Sequence, residues 1–240
     1  MIPKLIQQTA PTHRLTWEEA RLTSRLRKMM PDWDYRLWSN DEQEVLFAET
    51  FPDLIERFRR IPYPMGKADV ARYAILYRHG GFYFDTDYKL LRPIDDEWLA
   101  SSMVIPVECY WPDKGPDEID KLDFGSAILG SEAANPFWRD LVEHIFANNA
   151  PDGAYGRQDL PIVTGPMALT HFYVANRARY PNAALPERDL FLPRLSLFGL
   201  RSTAHNKTVG IHLTFGSWRQ ASALVKAKVL ARRKLNGLLA

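Results

Sequence analysis

Residues 65–87 limit the folds open to this chain more than any other segment. A helical pattern over 65–78 runs to Gly80, a residue that commonly ends helices because it tolerates left-handed backbone angles. The apolar residues 82–84 then predict a buried strand, and Asp85 and Asp87 follow it directly. A helix leading into a buried strand with acids at its end favours an α/β sheet with a binding site at the sheet edge.

The two aspartates are spaced to hold a cation. In an extended strand Tyr83, Asp85 and Asp87 share one face, so two carboxylates converge there. A divalent cation relieves their repulsion and recruits phosphate oxygens. The spacing alone is a weak signal, because about one D-x-D match is expected by chance in a chain of this composition. Asp32 and Asp34 form a second match, which we interpret as solvated charge in a turn.

The helix before this strand carries a partly charged face. Asp69, Arg72, Tyr73 and Leu76 follow the i, i+3, i+4, i+7 spacing of one helix side. One interpretation of Asp69 and Arg72 is a surface ion pair of little energetic value. The other is that the pair belongs to the site at the end of the strand.

Strands and helices alternate along the rest of the chain. Capping boxes that open at Thr16 and Ser39 predict helices running to about residues 30 and 50, and helices over 136–148 and 166–179 begin with proline. Strands are predicted at 2–6, 35–38, 82–84, 103–107, 126–129 and 209–213. This order predicts an α/β fold with a Rossmann-like, mostly parallel sheet and helices on both faces, where ligands bind beyond the carboxyl ends of the strands.

Several segments resemble, in order, the D-x-D sugar transferases, which are related to initiating alpha-mannosyltransferases and distantly to the glucosyltransferase domains of clostridial toxins. These segments are 2–9, 35–38, 67–87, 164–166, His212 and 216–218. The resemblance spans residues 2–218, and the 67–87 run is its most specific part. It implies a GT-A fold, a nucleotide-sugar donor, Mn²⁺ or Mg²⁺, and transfer with retention of anomeric configuration.

Carried over residue by residue, the resemblance assigns roles at one site. The expected metal ligands are Asp85, Asp87 and His212, and the expected catalytic residues are Asp85, Asp87 and Arg72. Mn²⁺ accepts imidazole as well as oxygen ligands, although a lone histidine near a strand end is more often structural. The expected donor-binding residues are Gln8, Thr9, Asn40, Lys67, Asp69, Arg72, Tyr83, Asp85, Ser217 and Trp218.

The chain departs from the family pattern in three places. Gln7 stands where the family usually has histidine, and Ala10 stands where it usually has an aromatic residue. Both departures concern the base-binding end of the expected pocket. Residues 125–129, which begin with Gly125, stand where relatives often carry asparagine, and the resemblance links this segment to the acceptor side.

Composition and charge bound the domain organisation. The chain of 240 residues is 46% hydrophobic, which is ample for a core, and its one cysteine, Cys109, excludes an intramolecular disulfide. We therefore expect a reducing, cytoplasmic location. The apolar stretch at the start is too short for a signal-peptide core, and no run approaches the length needed to cross a bilayer.

The last 21 residues are basic. They hold five lysines and arginines and no acid, whereas the whole chain has a net charge of only +2. We expect a GT-A domain over 1–219 and a basic tail over 220–240 that attaches to an anionic membrane surface, at the inner face of the membrane. Nucleic-acid binding is not expected, because the rest of the chain is mildly acidic.

The favoured prediction is a retaining glycosyltransferase that moves a sugar from UDP-hexose or GDP-mannose to a glycan or lipid-linked acceptor, in surface polysaccharide or glycolipid synthesis. Residues 82–87 also look like the strand and nucleophile of a haloacid-dehalogenase-type phosphatase, with Asp85 as nucleophile. That motif has threonine or valine where this chain has Lys89. A non-catalytic nucleotide-sugar-binding module is the third possibility.

Overall fold

The structure, a computed structural model, describes residues 1–110, 122–148, 153–193 and 203–214. The α-helices in these ranges are α1 (Trp17–Met29), α2 (Asn40–Thr50), α3 (Ile55–Arg60), α4 (Pro64–His79), α5 (Asp96–Leu99), α6 (Pro136–Asn148), α7 (Leu160–Val163), α8 (Pro166–Asn176) and α9 (Arg188–Phe191). The strands are β1 (Leu5–Thr9), β2 (Asp34–Trp38), β3 (Gly81–Phe84), β4 (Tyr88–Leu90), β5 (Met103–Val104), β6 (Val107–Tyr110), β7 (Leu122–Phe124), β8 (Ile128–Ser131), β9 (Ala183–Ala184) and β10 (Gly210–His212).

Six strands form the central sheet, in the order β2-β1-β3-β8-β5-β9. β1 pairs in parallel with β2 and β3, and β5 pairs in parallel with β9. β8 is antiparallel to both of its neighbours, β3 and β5. Five strands therefore run in one direction, and the expected mostly parallel α/β sheet is confirmed. The strand expected over 126–129 corresponds to the single reversed strand, β8.

Side chains of β3 alternate between two apolar cores. Tyr83 packs on one face of the sheet with residues of α2, α4, α6 and α8. Phe82 and Phe84 pack on the other face with Leu26 and Met30 of the α1 region. Helices thus cover both faces, as predicted, and the alternation of a two-residue period through β3 is confirmed.

Local sequence signals begin and end the helices. Both predicted capping boxes form: Thr16 exchanges hydrogen bonds with Glu19 at the start of α1, and Ser39 does so with Glu42 at the start of α2. α4 ends at Gly80, whose φ is 64°. A Cβ atom there would lie 2.6 Å from the Ala133 backbone nitrogen, so both conformation and space require glycine.

Several boundaries differ from the sequence predictions. The first strand runs over Leu5–Thr9 and not over 2–6, because the Ile2 amide donates to the carbonyl of Leu99 outside the sheet. The strand predicted over 103–107 is divided into β5 and β6, with Pro106, which has no N–H to donate, between them. The helix predicted over 166–179 ends as an α-helix at Asn176 and continues as a 3-10 turn.

Two small antiparallel sheets complete the described fold. β4 pairs with β10, which places Tyr88 opposite His212, and β6 pairs with β7, which places Cys109 opposite Asp123. The first pairing brings residues from the far end of the chain to the turn that follows β3. No helix within the described ranges combines the length and the apolar character that crossing a membrane requires.

Candidate active site

A cleft of about 790 Å³ opens at the carboxyl edge of the central sheet. Thr9 at the end of β1, Asn40 at the start of α2 and Asp85 after β3 line it, and α4 contributes Asp69 and Arg72. Neighbouring parallel strands leave such a crevice beyond their carboxyl ends. The cleft therefore lies where the sheet topology places a ligand.

Asp85 and Asp87 lie in a turn between β3 and β4. The Tyr88 amide donates to the Asp85 carbonyl over 3.0 Å and closes the turn, while the Asp85 amide donates to the Ala127 carbonyl over 2.8 Å. The predicted convergence of the two carboxylates is confirmed, but its predicted cause is wrong. A turn, and not alternation along an extended strand, brings them to one side.

Asp85, Asp87 and His212 form one cluster. His212 Nε2 lies 3.1 Å from Asp87 Oδ1 and 3.7 Å from Asp85 Oδ2, and one ligand atom from each residue lies within 4.8 Å of the others. The β4–β10 ladder carries His212 to this position, and the Leu213 amide fixes it further by donating to the Asp87 carbonyl over 3.0 Å. The grouping of these three predicted ligands is a property of the tertiary structure.

The surroundings of His212 favour a positive charge. Burial acts to lower the pKa of its imidazole, but the hydrogen bond to Asp87 and the charges of Asp87, Asp85 and Glu108 together outweigh burial and raise this pKa above its ordinary value. The same negative field would favour a bound cation in place of the proton. The field comes from three carboxylates on two segments of the chain, the turn between β3 and β4 and the strand β6.

Arg72 connects α4 to the turn that carries Asp85. Its Nη2 atom lies 3.3 Å from both Asp69 Oδ1 and Asp85 Oδ1, and its Nη1 atom donates to the Ser126 carbonyl over 2.8 Å. The guanidinium carbon lies 4.6 Å from the centroid of the Tyr83 ring. The buried Nε atom has no hydrogen-bond partner in the described structure, so the other contacts determine how the guanidinium is oriented.

The Asp69–Arg72 pair is buried. Asp69 is 5% exposed and Arg72 is 6% exposed, so the interpretation of a surface ion pair is wrong. Burial raises the pKa of Asp69 to about 6, with Arg72 and a hydrogen bond from Thr164 acting in the opposite direction and the charge of Asp85 adding to the increase. The segment 164–166, which belongs to the family resemblance, thus contacts the site through the hydroxyl of Thr164, 3.3 Å from Asp69 Oδ2.

Tyr83 links Thr9, at the end of β1, to Asp85 through hydrogen bonds. Its hydroxyl donates to Asp85 Oδ1 over 2.9 Å, and the hydroxyl of Thr9 lies 2.9 Å away and can donate to it in turn. Burial is the main cause that raises the pKa of Tyr83 far above its ordinary value, so the phenol stays protonated and keeps donating. Tyr83 and Arg72 therefore hold Asp85 from two directions.

Two of the predicted donor-binding residues do not line this cleft. Gln8 is buried behind it, where its amide nitrogen lies 3.4 Å from the Asp85 carbonyl oxygen and its amide oxygen accepts from Thr23. Lys67 lies over the ring of Phe58, 5.9 Å from the centroid. Their direct contact with a donor stays a prediction, and Gln8 contacts the backbone of the site instead.

The remaining predicted residues fall into two groups. Thr9, Asn40, Asp69, Arg72, Tyr83 and Asp85 all line the cleft. Ser217 and Trp218, predicted to close over a diphosphate, lie outside the described residues, as does the basic tail over 220–240.

Glu19 and Glu108 also line the cleft, although neither was predicted as a site residue. Glu19 uses one carboxylate oxygen to cap α1 and the other to accept from the Thr86 hydroxyl over 3.0 Å, which ties α1 to the D-x-D turn. Its capping-box position was visible in the sequence, but its second contact was not. Glu108 lies on the cleft wall, and burial, together with Asp123 and Asp85, raises its pKa against the opposing effect of His212. No sequence motif marks Glu108.

The cluster of Asp85, Asp87 and His212 has the donor atoms that a divalent cation requires. Carboxylate oxygens suit Mg²⁺ and Mn²⁺, and imidazole is better tolerated by Mn²⁺. The three side chains are partly exposed to the cleft and come from two paired segments, so they can accept an ion without unfolding the sheet. These residues fit the cation that the resemblance implies.

A mostly parallel α/β sheet with a D-x-D turn at its carboxyl edge is the architecture of the GT-A class of glycosyltransferase folds. The ligand-free glycosyltransferase domain of the YGT toxin has the same fold, with a TM-score of 0.56 over 97% of this chain and 86% of that domain at 8% sequence identity. The predicted fold class is therefore confirmed.

The family model for the glycosyltransferase sugar-binding region containing the DXD motif matches residues 17–105, which include Asp85 and Asp87. Inositol phosphoceramide mannosyltransferase 2 of Schizosaccharomyces pombe is 26% identical over 225 residues, covering 89% of this chain and 61% of the relative. Initiation-specific alpha-1,6-mannosyltransferase of Candida albicans is 27% identical over 151 residues, covering 55% and 36%. The chain thus spans less than two thirds of these relatives, and its resemblance to the D-x-D sugar transferases is confirmed.

Proposed function

We propose that this protein is a metal-dependent glycosyltransferase that moves a sugar from a nucleotide-sugar donor to a hydroxyl group of a glycan or lipid-linked acceptor. The observation that carries the proposal is the convergence of Asp85, Asp87 and His212 beside the buried Arg72 in one cleft. The family match over residues 17–105 supports sugar transfer over the phosphatase alternative.

The residues of the site have two roles in sugar transfer, cation binding and positioning of Asp85. Asp85, Asp87 and His212 would hold the cation, which, when bound, neutralises charge that develops on the leaving diphosphate. Arg72 and Tyr83 hold the Asp85 carboxylate in place through contacts of 3.3 and 2.9 Å, so little reorganisation is needed during the reaction.

The reaction proposed is a substitution at the anomeric carbon. The acceptor oxygen forms a bond to this carbon while the bond from carbon to the donor phosphate oxygen breaks. The nucleoside diphosphate leaves with the bonding electron pair, and the acceptor proton passes to the released phosphate oxygen. We infer retention of configuration, with the acceptor approaching from the side of the leaving group, in agreement with the family resemblance.

The donor is UDP-hexose or GDP-mannose. The names of the relatives indicate which of these donors to test first. The S. pombe and C. albicans relatives are named mannosyltransferases, so GDP-mannose is the first donor to test. Thermal-shift measurements with and without Mn²⁺ would rank the candidates, because a ligand of the folded state raises its stability with the logarithm of saturation. Transfer from such a donor would suit a step in the synthesis of surface polysaccharide or glycolipid.

We also propose that the protein works at the cytoplasmic face of a membrane, attached through the basic residues of 220–240. Each basic residue near an anionic surface contributes about 1 kcal/mol, so five of them suffice for weak attachment. The test is sedimentation with vesicles containing phosphatidylserine. Deletion of 220–240 should reduce binding, and unchanged binding would reject this location.

The decisive test of the proposed function is Asp87→Asn. The change keeps the shape of the side chain and removes the charge that faces His212, so transfer and donor hydrolysis at saturating Mn²⁺ should fall roughly 10²- to 10³-fold. Asp34→Asn, in the other D-x-D match, is the matched control because Asp34 is exposed and does not line the cleft. Transfer by Asp87→Asn within twofold of the unmodified protein would refute the proposal.

A further inference from the structure

A second cavity, of about 370 Å³, adjoins the cleft. The two share Glu108, Pro166, His212 and Thr214 as lining residues. Thr9, Asn40 and Asp85 line the cleft and not the second cavity. A molecule in the second cavity would therefore meet a donor near His212, one of the four residues common to both spaces.

The walls of this second cavity combine two carboxylates with an apolar surface. Glu108 and Asp123 come from β6 and β7, which pair as an antiparallel hairpin. The apolar surface comes from Phe124, Met167 and Leu192, which lie on β7, near the start of α8 and after α9. Its volume falls within the roughly 300–1,000 Å³ of small-molecule pockets.

Gly125 lies directly against Leu192 and Glu108, which belong to two of these walls. A Cβ atom at this position would overlap the Leu192 side chain and lie 3.4 Å from Glu108 Oε2. The absence of a side chain therefore lets Leu192 pack closely against the Gly125 backbone, beside Glu108. The backbone beside it is fixed, since the Gly125 amide donates to the Pro106 carbonyl over 2.9 Å and the Phe124 amide donates to the Thr170 hydroxyl over 3.0 Å.

The chemistry of these walls selects the ligand. Carboxylates accept hydrogen bonds from hydroxyl groups strongly and repel phosphate or carboxylate groups. An apolar wall opposite them favours the C–H face of a ring or an alkyl chain. The combination suits an uncharged ring that bears several hydroxyl groups and an apolar substituent.

We propose that this cavity is the acceptor subsite, and that it binds a neutral hydroxylated ring with an apolar aglycone, whose hydroxyl groups donate to Glu108 and Asp123. The assignment rests on the proposed glycosyltransferase function and adds the class of acceptor. It also separates the residues that select the acceptor from those that hold the donor, because Asp123 and Met167 line only this cavity.

The test compares octyl glucoside, octyl galactoside and octyl mannoside with the methyl glycosides and with the corresponding 6-phosphates. The octyl glycosides should have the lowest KM, and the phosphates should be poor acceptors. Asp123→Asn should raise the KM for octyl glycosides about tenfold, because it weakens the hydrogen bonds to their hydroxyl groups. It should also reduce the ratio of the KM for the 6-phosphates to the KM for the octyl glycosides, because it removes a charge that repels phosphate. Met167→Trp should raise the same KM by filling the cavity. The Kd of the nucleotide-sugar in Mn²⁺ should change less than twofold in both variants.

Asp32→Asn, an exposed acid between α1 and β2, serves as the matched control and should leave all these constants unchanged. Equal use of phosphorylated and neutral glycosides, or an unchanged acceptor KM in both cavity variants, would overturn the assignment. So would donor hydrolysis without binding of any octyl glycoside, measured by saturation-transfer NMR. Failure of the glycosyltransferase proposal is a different result: no nucleotide-sugar would bind or be hydrolysed.

Discussion

Replacing Arg72 by methionine should destabilise the protein in a pH-dependent manner. Arg72 is 94% removed from solvent and contacts Asp69, Asp85 and the Ser126 carbonyl. Methionine approximates the volume of the side chain and removes its charge, which leaves a buried carboxylate without its partner. Breaking a buried ion pair in this way costs about 3–5 kcal/mol, whereas the whole free energy of unfolding of a domain is about 5–15 kcal/mol.

The pH dependence follows from Asp69. Its pKa in the folded protein is raised to about 6, so the stability it contributes is present below its ordinary value of 3.8 and is lost as pH rises through 6. Arg72 acts to lower this pKa, so Arg72→Met should raise it further. Each pKa unit corresponds to about 1.36 kcal/mol. If the Asp69 carboxyl of the variant stays protonated up to pH 8, the loss of unfolding free energy caused by the substitution is therefore larger at pH 8 than at pH 6, by at most about 2.7 kcal/mol.

Urea unfolding followed by far-UV circular dichroism at pH 5, 6, 7 and 8 measures both the loss of unfolding free energy and its dependence on pH. The double variant Asp69→Asn/Arg72→Met should recover part of the loss at pH 8 and show a weaker pH dependence, because the buried carboxylate is gone. Arg59→Met is the matched control: Arg59 also contacts two acids, Glu44 and Glu56, but on the surface, and its replacement should leave the midpoint nearly unchanged. A loss from Arg72→Met that is the same at pH 5 and pH 8 would refute the reasoning.

Three further outcomes are expected. Gly80→Ala should lower the free energy of unfolding by at least about 1–2 kcal/mol in urea unfolding, since φ is 64° and the added Cβ would meet backbone atoms; an unchanged midpoint would contradict the conformation described. Tyr83→Phe should lower kcat about tenfold with a smaller effect on donor Kd, because Asp85 loses one of the two groups that hold it; a change in Kd alone would point to a donor contact instead. Chelation with EDTA should abolish the thermal shift produced by a nucleotide-sugar, and readdition of Mn²⁺ should restore it; a shift that survives EDTA would reject cation-dependent donor binding.

Much of the framework could be predicted from local patterns. The capping boxes at Thr16 and Ser39 locate the starts of α1 and α2, because a cap requires only residues three positions apart. The glycine break at Gly80 and the apolar alternation of β3 are equally local. The resemblance then supplied the fold class, and the structural comparison confirms it.

The reversed strand and the position of the first strand could not be predicted in the same way. β8 runs antiparallel between β3 and β5, and nothing in its four residues, Ile128–Ser131, encodes its direction. Ile2 has the same apolar character as a strand residue, yet its amide bonds to Leu99 outside the sheet. Direction and pairing depend on partners that are distant in the chain.

What the sequence by itself determined is the set of chemical groups: two aspartates after a buried strand, an arginine and an aspartate one helical turn apart, and a late histidine. Tertiary structure alone decided that Asp69 and Arg72 are buried, that a turn brings Asp85 and Asp87 together, and that His212 meets them through the β4–β10 ladder. The physical reason is that the strength of a charge interaction depends on distance and burial. Folding sets both through contacts between distant residues, such as Asp87 and His212, which are 125 positions apart.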